Sequence, residues 1–235
     1  GLVEGASKGE GLGNKFLSHI REVDAILEMV RLFPIVGGGK EITHVYGSVD
    51  PLRDIKVINL ELILSDFETV TKRRANIVRE VKRGDKVAVF EDAVFEKLQN
   101  VLESEQLAHT VKLSEEEDKV AKQLGLLSYK KFLYGLNKRS GTQNMDESDP
   151  EKFKELTDWI LASGARYVVI DAKIEDELKD FEGEEKVMMR AEMEAHDDGV
   201  TTLISEAYKL LGLDTYITTG DVETCSRTSK TGPTA

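Results

Sequence analysis

Two rhythms of apolar and polar positions alternate along this chain. From Pro51 onward, Leu60, Ile63, Phe67, Val70, Ile77 and Val81 follow steps of three and four, with Arg74 interrupting an otherwise apolar stripe on a charged background. That spacing predicts a long amphipathic helix. Arg83-Gly84-Asp85 breaks the pattern, and Val87, Phe90, Val94, Leu98 and Val101 resume it, so two antiparallel helices joined by a short turn are expected. Such a hairpin buries its stripes against each other; the plainer reading is two helices that cover a core. An acid-rich third helical segment runs from Ser114 to Leu124. Its Glu115-Glu116-Glu117-Asp118 run reads as a solvated helix N-terminus, where carboxylates meet the positive end of the dipole.

On either side of this helical block the pattern is that of strands and shorter helices. Phe16, Leu17 and Ile20 fit a short helix from Lys15 to Val23. The dense apolar run Ala25 to Phe33 is closed by Pro34 and Gly37-Gly38-Gly39; its length and abrupt stop favour a strand over a helix. Phe132 to Leu136 is strand-like, and Pro150 to Leu161 is helical with Asp149 as N-cap. Ala165 to Ile170 is the clearest strand, and Thr201 to Leu211 another amphipathic helix. Strands alternating with helices predict an α/β fold with a mostly parallel sheet, whose ligands sit at the carboxyl ends of the strands. Two such ends carry usable chemistry: Asn137-Lys138-Arg139-Ser140 and Asp171-Ala172-Lys173. An asparagine amide can bond a purine edge while a lysine stem packs on its face, and a backbone amide at the second strand end can meet the base from the other side. The same residues are also ordinary turn formers.

Composition narrows the classes of function. The chain of 235 residues carries 44 acids against 32 bases, a formal charge of −12, which argues against charge-driven DNA binding. A single cysteine, Cys225, excludes an intramolecular disulfide and a thiolate zinc cage, so a reducing cytoplasm is expected. No apolar run reaches the ~18–20 residues of a membrane span. The histidines, His19, His44, His109 and His196, lack ligand spacing, and no metal site is expected from them. Glycine recurs from Gly9 to Gly13, which suits either a loop that approaches a ligand or a solvated linker. The acid run Asp176 to Glu185 reads as a charged surface connection. The polar tail Ser226 to Ala235, with no apolar face, reads as a frayed or cut end.

Taken together, several segments resemble the YchF, or Obg-like ATPase, family of translation-factor-related P-loop NTPases. The opening Gly1-Leu2-Val3 through Gly5 to Leu17 is similar to that family's third G motif and switch region. Ile42-Thr43-His44-Val45, Val49-Asp50-Pro51, Ile58 to Leu62, Ala172-Lys173-Ile174-Glu175, Leu210 to Leu213 and Thr218-Thr219-Gly220 also fit. The resemblance implies a P-loop G domain in two parts (1–50 and 127–212), interrupted by an inserted helical hairpin domain (51–126). The start of a TGS domain, 213–235, follows. It also implies hydrolysis of ATP or GTP with Mg2+, and association with the ribosome, through its large subunit or ribosomal RNA, with no membrane and no DNA partner. Carried across residue by residue, Gly1 is the final glycine of D-x-x-G, and Leu2 stands where many GTPases keep a catalytic glutamine. Asn137 and Lys138 read the base, and Ala172 and Lys173 form the last G motif.

The departures carry their own expectations. No G-x-x-x-x-G-K-[ST] occurs in these residues, so the phosphate cradle, its lysine and its magnesium-binding hydroxyl are missing from them. This chain by itself is therefore expected neither to bind ATP tightly nor to hydrolyse it. The family's N-x-x-E is replaced by Asn137-x-x-Ser140, while Asn144-Met145-Asp146-Glu147 has the family spelling seven residues later; adjacency to the strand favours Asn137. Base preference stays open between ATP and GTP. The non-enzymatic alternative is an adaptor whose hairpin binds protein or ribosome and whose sheet is only a platform.

Overall fold

A computed structural model describes residues 12–34, 49–193, 195, 199–219 and 224–230. The expectations placed on Gly1 to Gly11, including Gly1 and Leu2, and on Gly37 to Gly39 and Ile42 to Val45 lie outside the described residues. The chain divides into two compact units, Gly1–Ile26 with Leu52–Lys131 and Leu27–Pro51 with Phe132–Ala235.

In the first unit, helix α1 spans Leu12–Arg21, three residues earlier than the apolar spacing suggests. Its last residue, Arg21, donates to Ser65 Oγ at 3.3 Å and Thr69 Oγ1 at 3.4 Å. Helices α2 (Pro51–Lys82) and α3 (Lys86–Glu103) form the expected hairpin. Asp85 caps α3, its carboxylate accepting from Val87 N at 3.0 Å and Ala88 N at 2.9 Å. The buried face of α3 is Ala88, Val94, Phe95, Leu98 and Leu102. It runs one step out of phase with the expected stripe at several positions, so that Val87 and Phe90 stand exposed. Arg74, the interruption in the α2 stripe, is a cross-helix fork. Its guanidinium meets both oxygens of Asp92, at 2.8 and 3.3 Å, and Gln99 Oε1 at 2.9 Å. The hydrogen bond to Asp92 holds the Arg74 pKa above the ordinary arginine value.

A second polar group in α2 is fully buried. Asp66 accepts from Leu127 N at 2.8 Å, Ser128 N at 2.7 Å and Ser128 Oγ at 2.6 Å. The Ser128 hydroxyl in turn accepts from Ala108 N at 3.1 Å, in the 3-10 turn Ala108–Thr110. One carboxylate thus ties α2 to the segment that precedes the next strand. Burial pushes the Asp66 pKa up, against the pull of these three donors and of the Arg21 charge. Helix α4 (Glu115–Gln123) begins at a capping box between Ser114 and Glu117, as its acid run suggests.

In the second unit, strands β1 (Ala25–Arg31), β2 (Lys131–Asn137) and β3 (Arg166–Ile170) make one sheet in the order β1-β2-β3. β2 and β3 run parallel, in register from Leu133 opposite Arg166 to Asn137 opposite Ile170. Phe132, Leu133, Tyr134 and Leu136 are buried, the near-continuous apolar run of a strand covered on both faces. Gly135 lies against β1, where a Cβ would run into Met29 Sδ. After the single turn α5 (Met145–Ser148), helices α6 (Pro150–Ala162) and α9 (Gly199–Leu211) pack on β3. Asp149 caps α6, accepting from Lys152 N at 3.2 Å.

Two expectations need correction in this unit. The acid run after Lys173 is not a plain connection, because it contributes to α7 (Ala172–Glu177) and α8 (Gly183–Glu192). Nor is the tail frayed through its described part: β4 (Leu213–Thr219) and β5 (Thr224–Lys230) pair antiparallel, from Leu213 opposite Lys230 to Thr219 opposite Thr224. This hairpin satisfies its backbone through pairing and leaves Tyr216 and Ile217 exposed, so it carries no apolar signature in the sequence. Residues 231–235 lie outside the described residues.

Candidate functional site

β2 and β3 end on the same level, with Asn137 beside Ile170, so the loops that leave them run side by side. Three hydrogen bonds join these loops. Lys138 N donates to the Ile170 carbonyl at 2.8 Å, Ala172 N to Asn137 Oδ1 at 3.0 Å, and Ser140 N to Asp171 Oδ2 at 2.7 Å. The other Asp171 oxygen accepts from Lys173 N at 3.1 Å and Ile174 N at 3.2 Å, so this carboxylate caps α7 and holds the first loop at once. The sequence-identified residues Asn137, Lys138, Ala172 and Lys173 are therefore brought together.

Their individual roles differ from the expectation in one respect. A backbone amide at the second strand end is expected to meet the base, whereas the Ala172 and Lys173 amides donate within the loops, to Asn137 and Asp171. What Ala172 does instead is fix the asparagine. With Oδ1 committed to Ala172, the Asn137 amide has one defined rotamer, and its Nδ2 has no hydrogen-bond partner among the described residues. An oriented, unspent N–H donor at a strand end suits an acceptor such as purine N7, which adenine and guanine share.

Lys138 is held by its ammonium group, 2.6 Å from Asp146 Oδ2 and 3.4 Å from Glu147 Oε1. Burial works against the charged amine, but these two acids outweigh it and keep its pKa above the usual lysine value. Asn144 lies three residues before Glu147 and is buried. Its Oδ1 accepts from Arg139 N at 2.9 Å, and its Nδ2 donates to Arg139 O at 3.2 Å and Thr142 O at 3.1 Å. The amide with the family spelling is thus spent on the shape of the loop, and the one directly after the strand keeps a free donor.

Behind the second loop lies an ion pair that no local pattern announced. Glu175 and Arg190 side chains are 7% and 12% exposed, with Arg190 Nη1 2.9 Å from Glu175 Oε1. The same oxygen accepts from Gly199 N at 3.0 Å. α7 is thereby anchored to α8 and to the start of α9. A Cβ on Gly199 would stand 2.7 Å from Ile170 Cγ1, which explains the glycine. Glu175 falls inside a segment already singled out; Arg190 and Gly199 are legible only in three dimensions. No group of three or more His, Cys, Asp or Glu residues is placed to hold a metal ion among the described residues.

A parallel sheet whose neighbouring strand ends cross-link an asparagine loop to an Asp-Ala-Lys loop, with a helical hairpin inserted upstream, is the arrangement of a P-loop GTPase fold. The comparisons with known proteins make this specific. The chain is homologous to the YchF proteins over nearly its whole length. It is 47% identical over 232 residues to the ribosome-binding ATPase YchF of Bacillus subtilis, covering 99% of this chain and 62% of the relative. It is 39% identical over 236 residues to the ribosome-binding ATPase YchF of Haemophilus influenzae, again 62% of that protein. Among solved structures, the YchF GTPase of Schizosaccharomyces pombe superposes with a TM-score of 0.79 at 31% identity, over 97% of this chain and 60% of that one. The chain thus spans about three fifths of the length of these relatives. No protein-family model matches it.

Proposed function

We propose that this chain supplies the base-recognition side and the inserted hairpin of a ribosome-binding ATPase of the YchF type. The observation that carries the proposal is the Asn137 amide, fixed by Ala172 and free to donate from Nδ2. In this reading Asn137 meets N7 of the purine, the anchored Lys138 stem packs on its face, and Ala172 and Lys173 close the second wall of the base site. The name borne by the curated relatives supports ATP as nucleotide and the ribosome as partner; in this reading the contact is made through the large subunit or ribosomal RNA. That the solved relative is a GTPase by name fits a donor to N7, which does not separate adenine from guanine.

The division of labour follows the resemblance. Residues 1–50 and 127–212 form the two parts of a G domain, 51–126 the inserted hairpin, and 213–235 the first part of a TGS domain, in a cytoplasmic protein. Among the described residues no helix is long and apolar enough to cross a membrane. Gly1 belongs to the turn that contacts the γ-phosphate, and Leu2, being apolar, cannot orient the attacking water, which another group must do. Mg2+, when bound, would supply charge neutralisation to the triphosphate. The lysine and hydroxyl of a G-x-x-x-x-G-K-[ST] loop are not in this sequence, so these 235 residues by themselves lack the groups that offset a triphosphate.

Isothermal titration with Mg-ATP tests the reading in two arms. The full-length protein is expected to bind in the micromolar range and to turn ATP over, and the 235-residue chain alone to show no such site. Micromolar binding by the chain alone would refute the second expectation; a full-length protein that neither binds nor hydrolyses ATP or GTP refutes the enzyme reading and leaves the adaptor.

A further inference from the structure

The tip of the α2–α3 hairpin has a charge opposite to that of the chain that carries it. Within residues 71–90, seven are Lys or Arg and two are acidic, a local excess of five positive charges on a chain of net −12. Arg74 and Lys72 are satisfied, by Asp92 and Glu68. The remaining five, Arg73, Arg79, Lys82, Arg83 and Lys86, are exposed and form no salt bridge or side-chain hydrogen bond among the described residues. Arg79 lies in the last turn of α2, Arg83 stands one residue beyond its end with its amide donating to the Arg79 carbonyl at 3.1 Å, and Lys86 opens α3, so like charges gather around one turn and repel. The nearest acids of α3 do not relieve this: Asp92 and Glu96 are drawn to Arg74 on the stem side, and Glu91 forms no salt bridge with the tip among the described residues.

The tip also exceeds what its own packing needs. Between residues 75 and 90 only Ala88 is buried, whereas the stem of α3 buries Val94, Phe95, Leu98 and Leu102. Val87 and Phe90 are 66% and 39% exposed beside the basic residues. A self-repelling, solvated basic tip with apolar side chains costs stability within the chain, and an anionic partner removes that cost.

We propose that the hairpin tip is the surface through which this protein engages RNA, its Lys and Arg side chains meeting backbone phosphates and its exposed Phe90 lying against sugar or base. This rests on the ribosome reading above and adds the place of contact and the chemistry of the partner. The charge balance favours RNA over a protein partner: five exposed cations without a counter-acid stand among the exposed apolar side chains Val78, Val87, Val89 and Phe90, and an apolar protein surface would have to desolvate them.

The test uses the full-length protein, wild type against the quadruple variant Arg79→Ala, Lys82→Ala, Arg83→Ala, Lys86→Ala, with purified ribosomes and a short RNA duplex as probes, each titrated against salt. Four lost phosphate contacts should flatten the slope of log K against log salt by about 3 and weaken binding at physiological salt at least tenfold on both probes. ATPase turnover without ribosomes should be unchanged and the thermal midpoint should hold or rise as the repulsion is relieved, which excludes misfolding. Wild-type binding to ribosomes with an unchanged slope in the variant overturns the tip assignment while leaving the ribosome reading intact. Binding lost in a Val87→Ser, Phe90→Ser pair but kept in the quadruple variant overturns RNA in favour of a protein partner. Absence of any wild-type binding to ribosomes and RNA overturns both.

Discussion

Replacing Asp66 by alanine should unfold the connection between α2 and the segment leading into β2. The wild-type carboxylate is fully buried and satisfies two backbone amides, Leu127 N and Ser128 N, and the Ser128 hydroxyl. The hydroxyl can rotate towards another acceptor, but the amides cannot follow. Each buried amide left without a partner costs about 1–3 kcal/mol, so the pair gives about 3 kcal/mol after partial relief by entering water. For a chain of this size that is a fall in thermal midpoint of roughly 6–12 °C. Asp66→Asn retains one acceptor oxygen but points a second donor at donors, and should lie between alanine and wild type. The assay is thermal melting followed by circular dichroism, with hydrogen exchange at Leu127 and Ser128 to locate the loss. Because the chain has two compact units, exchange decides whether the effect is confined to one of them. A midpoint within a degree of wild type, with both amides still protected, would refute the premise that Asp66 holds this joint.

Three further outcomes are expected. Gly199→Ala places a Cβ 2.7 Å from Ile170 Cγ1 and 3.3 Å from Glu175 Oε1, and should cost about 1–3 kcal/mol in denaturant unfolding; a neutral result would mean the start of α9 shifts freely. Asn144→Ala removes one accepted and two donated hydrogen bonds, which should cost about 2 kcal/mol and speed exchange at Arg139, with unchanged protection contradicting its role as a loop peg. The hydrogen bonds from Lys122 and the Tyr129 hydroxyl hold the Asp118 carboxyl below its ordinary value near 3.8. Its folded pKa being the lower one, the stability it adds is present above 3.8 and is lost as pH falls through the folded value. Melting from about pH 5 to about pH 2 should therefore show wild type and Asp118→Asn converging at the acid end, and a constant gap would contradict this.

How far the sequence carried the account depended on whether a residue's partner lay on the same element. The β2 and β3 strands and the Asn137 and Asp171 loops were legible because short apolar runs ending in polar turns are a local signal. The α2–α3 hairpin was legible for the same reason, but the phase of α3 was not: Val87 and Phe90 continue the spacing as well as Ala88 does, and only the cap at Asp85 and the fork at Arg74 choose between them. Asp66 and Glu175 were invisible as structural groups because a carboxylate within a helix reads as solvated, and their partners lie 61 and 15 residues away. The β4–β5 hairpin failed to register because its sequence, rich in threonine and serine, offers no apolar stripe. Asn144 carries the family spelling, yet adjacency to the strand already favours Asn137; the burial and three hydrogen bonds that occupy Asn144 are encoded by no spacing.

The donor on Asn137 is the centre of the account, and nucleotide affinity of the full-length protein measures it most directly. With a fluorescent ATP analogue and Mg2+, Asn137→Ala should weaken binding at least tenfold, about 1.4 kcal/mol, with melting little changed. An Asn137→Ala protein that binds the nucleotide as tightly as wild type would contradict the assignment of these strand ends to the base.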